Sequence, residues 1–172
     1  MIVFKVLLSL FIIGICSYLG VNKARSLYKR ESLLRDTITF LNLVENEINY
    51  NLSILPNAYE IARQNISSPL KEVIGQIVVD MLESDNYENC NQSIVNSVSK
   101  IESLTYYDKN VIISNLKNLG RSDLDSQINI IENTKSIIEE QIKEAEDIKN
   151  KNSKLYKTIG TVVGIMAVIV LI

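Results

Sequence analysis

Histidine is absent from the 172 residues of this chain. Its absence removes the commonest general base and the commonest metal ligand together. Cysteine is nearly as scarce, with only Cys16 and Cys90. Two thiols, one in an apolar terminal stretch and one mid-chain, build no disulfide framework, and a reducing compartment fits them. The six glycines lie in or beside the apolar ends, except Gly75 and Gly120. No glycine-rich phosphate loop can be assembled from them. No run of alternating apolar and polar residues is long enough to propose a sheet.

Catalysis without histidine needs paired carboxylates or an activated cysteine. Glu45 and Glu47 are two apart and point to different faces of a helix, so a shared proton is not expected. The carboxylate run Glu139, Glu140, Glu144, Glu146 and Asp147 has Lys135, Lys143 and Lys149 three or four residues from its members, the spacing of ordinary solvated ion pairs. Cys90 sits among asparagines with no adjacent cation to lower its pKa. The expectation is a protein that is not an enzyme and that uses no cofactor and no metal.

The chain does have an apolar stretch at each end, bordered on the inner side by basic residues. Residues 1–21 carry one charge, Lys5, and are long enough to cross roughly 30 Å of hydrocarbon. Residues 158–172 carry no charged side chain. At fifteen residues this second stretch spans about 22 Å, which Leu155 and Tyr156 extend while Lys154 and Lys157 snorkel to headgroups. Lys23, Arg25, Lys29, Arg30 and Arg35 follow the first stretch, and Lys149, Lys151, Lys154 and Lys157 precede the second. Basic residues stay on the cytoplasmic side, so both termini are expected outside and residues 22–157 in the cytoplasm. A cleaved signal peptide would carry its charge before the apolar core, and Ile15 ahead of Cys16 does not suit a lipoprotein site. The expected organisation is a transmembrane helix over 1–21, a cytoplasmic helical bundle over 22–157 and a transmembrane helix over 158–172.

A formal net charge of −2 hides an uneven partition. Residues 36–148 hold 8 bases and 19 acids, for −11. A domain that acidic repels nucleic acid, whereas the basic collars match anionic membrane lipid.

Between the ends the periodicity is helical throughout. Leu27, Leu34, Ile38, Leu41, Ile48, Leu52 and Leu55 predict one long helix that Leu55-Pro56 ends. Ser68-Pro69 reads as the start of an apolar helix through Leu70, Ile74, Ile77 and Val78. The polar stretch 84–93 reads as a loop. Ile94, Val95, Val98, Ile101 and Leu104 predict a further helix, and Thr105 with Asp108 resembles a cap pair for the next. Gly120 suits a left-handed helix end, with Ser122 and Asp125 as a cap beyond it. Ile128, Ile131, Ile138, Ile142 and Ala145 then mark a helix of roughly 50 Å that enters the second apolar stretch. The fold class expected is all-α, an antiparallel helical bundle between terminal transmembrane helices. Gly160 and Gly164 give the last helix a small-xxx-small face for packing on another helix, the first one of the same chain included.

The order and spacing of several elements resemble the stage III sporulation protein AB family of endospore-forming bacteria. They are LVENEINY at 43–50, Leu55-Pro56 with Ala58 and Ala62, Ser68-Pro69-Leu70, LTYYD at 104–108, NLGRSDLDSQ at 118–127 and KLYKTIG at 154–160. The resemblance implies a membrane part of the envelope-spanning assembly between mother cell and forespore, in the mother-cell membrane facing the forespore. That family is similar to the inner-membrane platform proteins of type II secretion and type IV pilus systems, whose helical domains contact a secretion-type ATPase. The implied partners are stage III sporulation protein AA, the assembly's ATPase, and other subunits, with a homo-oligomer possible. Candidate interface residues are Glu45, Glu47 and Tyr50, and Gly120, Asp123 and Gln127 beside the turn. A helix corner at Gly120 and a core position for Tyr50 are the structural alternatives. The rival function is a membrane-anchored sensor or tether whose bundle binds a small ligand in a cavity of converging polar groups.

Overall fold

The computed structural model describes the backbone of residues 2–83 and 87–171, and the side chains of residues 10–83 and 88–169. Among the described residues six helices follow one another: α1 (Ile2–Asn49), α2 (Leu55–Arg63), α3 (Leu70–Glu83), α4 (Tyr87–Ser99), α5 (Tyr106–Asn118) and α6 (Leu124–Leu171). No strand occurs among the described residues, as the missing alternation predicts. Among those residues, no helix is long and apolar enough to cross a membrane. The two transmembrane expectations fall partly on residues 1–9 and 170–172, whose side chains lie outside the described residues.

The chain divides into two compact units, one of Ser32–Lys143 and one of Met1–Glu31 with Glu144–Ile172. In the first, α1 turns Leu33, Leu34, Thr37, Phe40, Leu41, Val44 and Ile48 inward. Steps of three and four keep them on one face. Phe40 meets Tyr59 of α2 edge to face, with ring centroids 5.1 Å apart. Consecutive helices then pack on one another from α2 to α5. α6 closes the bundle with Ile131, Ile138 and Ile142, and its Thr134 accepts a bond from Asn115 of α5 at 3.0 Å. Burying each large apolar side chain of this core contributes about 1.5–3 kcal/mol. In the second unit, Arg30 pairs with Glu144 at 2.7 Å and Glu31 with Lys149 at 2.6 Å.

Four boundaries differ from the sequence expectation. α1 stops at Asn49, and Leu55-Pro56 opens α2 instead of closing α1. Proline has no amide hydrogen to lose in a first turn, so it is equally suited to that position. Only Tyr87 onward of the expected 84–93 loop is described, and it is already helix, with a polar face turned to solvent. Residues 84–86 lie outside the described residues. α4 ends at Ser99, and Ile101 and Leu104 are buried from the turn that follows, not from a helix. The cap of α6 is Asp123, whose Oδ1 accepts the Ser126 amide at 2.8 Å, and not Ser122 with Asp125. The Thr105–Asp108 pair is a full capping box: Thr105 Oγ1 accepts the Asp108 amide and Asp108 Oδ2 accepts the Thr105 amide.

Candidate functional site

The six interface candidates divide by what they touch within the unit Ser32–Lys143. Glu45 is engaged internally. Its Oε2 lies 2.5 Å from Nζ of Lys135, both side chains are about four-fifths covered, and the same ammonium reaches Asn42 Oδ1 at 3.1 Å. Glu47 organises the end of α1. Its carboxylate accepts from Asn51 Nδ2 at 2.9 Å and from Ser53 Oγ at 2.8 Å, while its carbonyl accepts the Ser53 amide at 3.0 Å. Three bonds to one residue hold loop 50–54 in a defined shape. Tyr50 projects from that loop and is 77% exposed, so the core alternative for it does not hold.

Gly120, Asp123 and Gln127 come together as a helix corner. Gly120 has φ +83, and its amide donates to Gln127 Oε1 at 3.0 Å, while Gln127 Nε2 donates to the Ser122 carbonyl at 2.9 Å. Its two bonds from the Ser126 amide and hydroxyl hold the Asp123 carboxyl below the usual aspartate range. A Cβ on Gly120 would lie 3.1 Å from Leu55 Cδ2, so this corner abuts the start of α2. Loop 50–54 leads directly into that residue. The structure therefore gathers Glu47, Tyr50, Gly120, Asp123 and Gln127 at one end of the unit, with Glu45 two residues before Glu47 on α1.

Two residues there were not among the sequence candidates. Leu52 has φ +50 and is 74% exposed, and Ile54 is exposed beside it. Leu52 lies on the apolar step pattern that predicts a continued α1, and Ile54 lies off that pattern. The turn formers Asn51 and Ser53 on either side of Leu52 were the available signal.

In the other unit, Gly160 and Gly164 pack against the first helix of the same chain. A Cβ on Gly160 would lie 2.7 Å from the Cys16 carbonyl oxygen, and one on Gly164 would lie 3.2 Å from Cys16 Cβ. Their counterpart is Gly20, where a Cβ would lie 2.5 Å from the Tyr156 carbonyl oxygen and 3.0 Å from Gly160 Cα. Gly20 was missed, although Cys16, Gly20 and Ala24 form a small-xxx-small-xxx-small run. Below this crossing Lys149 and Lys157 place their ammonium groups 5.7 and 5.9 Å from the Tyr28 ring centroid.

The remaining chemistry is modest. Burial, with Asp80 nearby, pushes the Cys90 thiol up, away from the thiolate that a nucleophile needs. Full burial, with Cys90 close by, pushes the Tyr59 hydroxyl well above its ordinary range. Among the described residues, no three histidine, cysteine or acidic side chains converge on a metal position. A surface groove of about 480 Å³ runs past Glu72, Gln76, Ser97, Lys100 and Glu102. A cavity of about 10 Å³ lies among Phe40, Leu41, Ile74 and Leu116 and has no room beyond a single water.

No curated protein and no solved structure matches the chain. The sequence pattern of one family, described as Stage III sporulation protein AB, does match, over residues 5–172. With nearly its whole length matched, and six helices in which the resemblance-bearing turns at 50–56, 104–108 and 118–127 form real loops, caps and corners, the chain belongs to the stage III sporulation protein AB family.

Proposed function

We propose that this protein is a non-enzymatic membrane component of a secretion-like, envelope-spanning sporulation assembly, in which the unit Ser32–Lys143 is a platform that docks a secretion-type ATPase. Family membership supports a role in stage III of sporulation and contact with other sporulation proteins. The observation that carries the platform reading is the pairing of an acidic helical bundle with a separate, glycine-packed helix pair. That pair turns Leu10, Phe11, Tyr18, Leu19, Val162, Met166 and Ile169 outward. Outward apolar side chains on a tight helix pair suit lipid, and the lysines near Tyr28 suit the headgroup level. Insertion also relies on the apolar residues 1–9 and 170–172.

In this reading the protein sits in the mother-cell membrane facing the forespore with both termini outside, and stage III sporulation protein AA is the docked ATPase. Alkaline extraction of sporulating-cell membranes tests the first part. The protein should stay with the membrane pellet, and Cys90 should react with an impermeant maleimide only after lysis. Release into the wash, or labelling of Cys90 on intact cells, overturns it. Titration of the ATPase onto the full chain in lipid nanodiscs tests the second part. The sensor or tether alternative would use the groove lined by Glu72, Gln76 and Lys100, and it requires those polar groups to converge on one ligand.

A further inference from the structure

Among the described residues Leu52 is the one non-glycine residue with positive φ. Left-handed backbone crowds a Cβ against the following carbonyl, and glycine or asparagine adopts it with less strain. A leucine there would be explained if its side chain were needed in the core. It is not, being 74% exposed, and Tyr50 and Ile54 on either side are 77% and 71% exposed. Three large apolar side chains thus leave one five-residue loop for solvent, on a backbone that Glu47 holds through Asn51 and Ser53. Strain kept at an exposed apolar position indicates a role outside the fold. A loop already held in shape loses little freedom on binding, which is what a contact anchor needs.

Charge selects the occupant. The adjoining corner carries Asp123 and Asp125 against Arg121, and Glu47 lies beneath the loop, within a stretch, 36–148, that carries −11. A second copy meeting it loop to loop would bring the same acidic rim, and an anionic lipid surface would be repelled likewise. We infer that Tyr50, Leu52 and Ile54 form a preorganised anchor for a protein surface with an apolar pocket rimmed by lysine or arginine. This inference rests on the platform reading and assigns that pocket to the docked ATPase.

The test uses the full chain in lipid nanodiscs titrated with stage III sporulation protein AA. Leu52→Asn keeps a residue suited to left-handed backbone and removes the apolar side chain. It should leave the thermal midpoint equal or higher while weakening ATPase binding about tenfold or more. Tyr50→Ala should weaken binding with an unchanged midpoint. Tyr106→Ala removes an equally exposed ring, at 81%, outside the loop, and should change neither. Wild-type affinity in both Leu52→Asn and Tyr50→Ala overturns the anchor and leaves the platform reading standing. Absence of wild-type binding overturns the platform reading and this occupant together. A wild-type dimer that Leu52→Asn dissolves, with ATPase affinity unchanged, makes the occupant a second copy and overturns the assignment.

Discussion

Gly20 and Gly160 cross so closely that a Cβ on either would stand 3.0 Å from the Cα of the other. Each such Cβ would also meet a backbone carbonyl, of Tyr156 at 2.5 Å and of Cys16 at 2.7 Å. Backbone cannot rotate away as a side-chain end can, so the helices would have to move apart. In an apolar surrounding, where no hydrophobic force draws helices together, the van der Waals packing that close backbone approach permits is one of the sources of association.

That crossing can be read by cross-linking. Gly164 places a Cβ position 3.0 Å from Ile13 Cα and 3.2 Å from Cys16 Cβ, so a yield of a few tenths of an ångström relieves the backbone contact and brings the pair into the usual disulfide span of roughly 3.5–4.5 Å. Gly164→Cys with Cys90→Ser should form an intrachain bond on mild oxidation, visible as a faster band on a non-reducing gel. Adding Gly20→Leu should abolish the band. Persistence of the band would show that the two glycines do not set the distance.

The Glu45–Lys135 pair joins residues ninety positions apart and is largely covered. Reversing either charge should lower stability by roughly 1 kcal/mol, and reversing both should recover most of it, read by urea denaturation. ATPase affinity that follows the stability in all three variants marks Glu45 as a fold residue. Affinity that stays low in the double reversal marks it as a contact residue.

Tyr59 is fully buried and its hydroxyl has no hydrogen-bond partner among the described residues. Tyr59→Phe should therefore raise stability by about 1 kcal/mol at neutral pH, since it removes an unpaired polar group and keeps the ring against Phe40. The sign at high pH is set by burial. The folded-state pKa lies above the unfolded value of 10.0, so the unfolded chain releases its proton first and stability falls as pH rises through about 10. In Tyr59→Phe that fall should be shallower. An unchanged alkaline profile would mean that another group carries it.

Thr105→Ala removes the hydroxyl half of the capping box and should cost about 1 kcal/mol, while Thr105→Ser should restore nearly all of it. Thermal denaturation of the full chain reads both. Equal midpoints for all three proteins would show that α5 is held by Ile112 and Leu116 alone.

Local elements were legible because their causes are local. Thr105 with Asp108, and Gly120 at a left-handed position, could be named from the chain since each interaction closes within three or four residues. The end of α1 was misplaced for the same kind of reason. Leu52 and Leu55 continue the apolar step pattern, and the bonds that Glu47 accepts from Asn51 and Ser53, which break it, are not a periodic signal. Gly160 and Gly164 were visible as a motif, but their counterpart Gly20 depends on how two distant segments meet.

By itself, the order of residues determined the all-helical class, the apolar ends with their basic collars, the acidic middle and the family. Each of these depends on composition or on short-range spacing. Tertiary structure alone decided that Glu45 faces Lys135, that Glu47 shapes a loop, that Gly20 meets Gly160 and that Tyr50, Leu52 and Ile54 point outward together. Those outcomes depend on which helix faces meet, and a helical period leaves several faces possible until the packing of the others removes all but one.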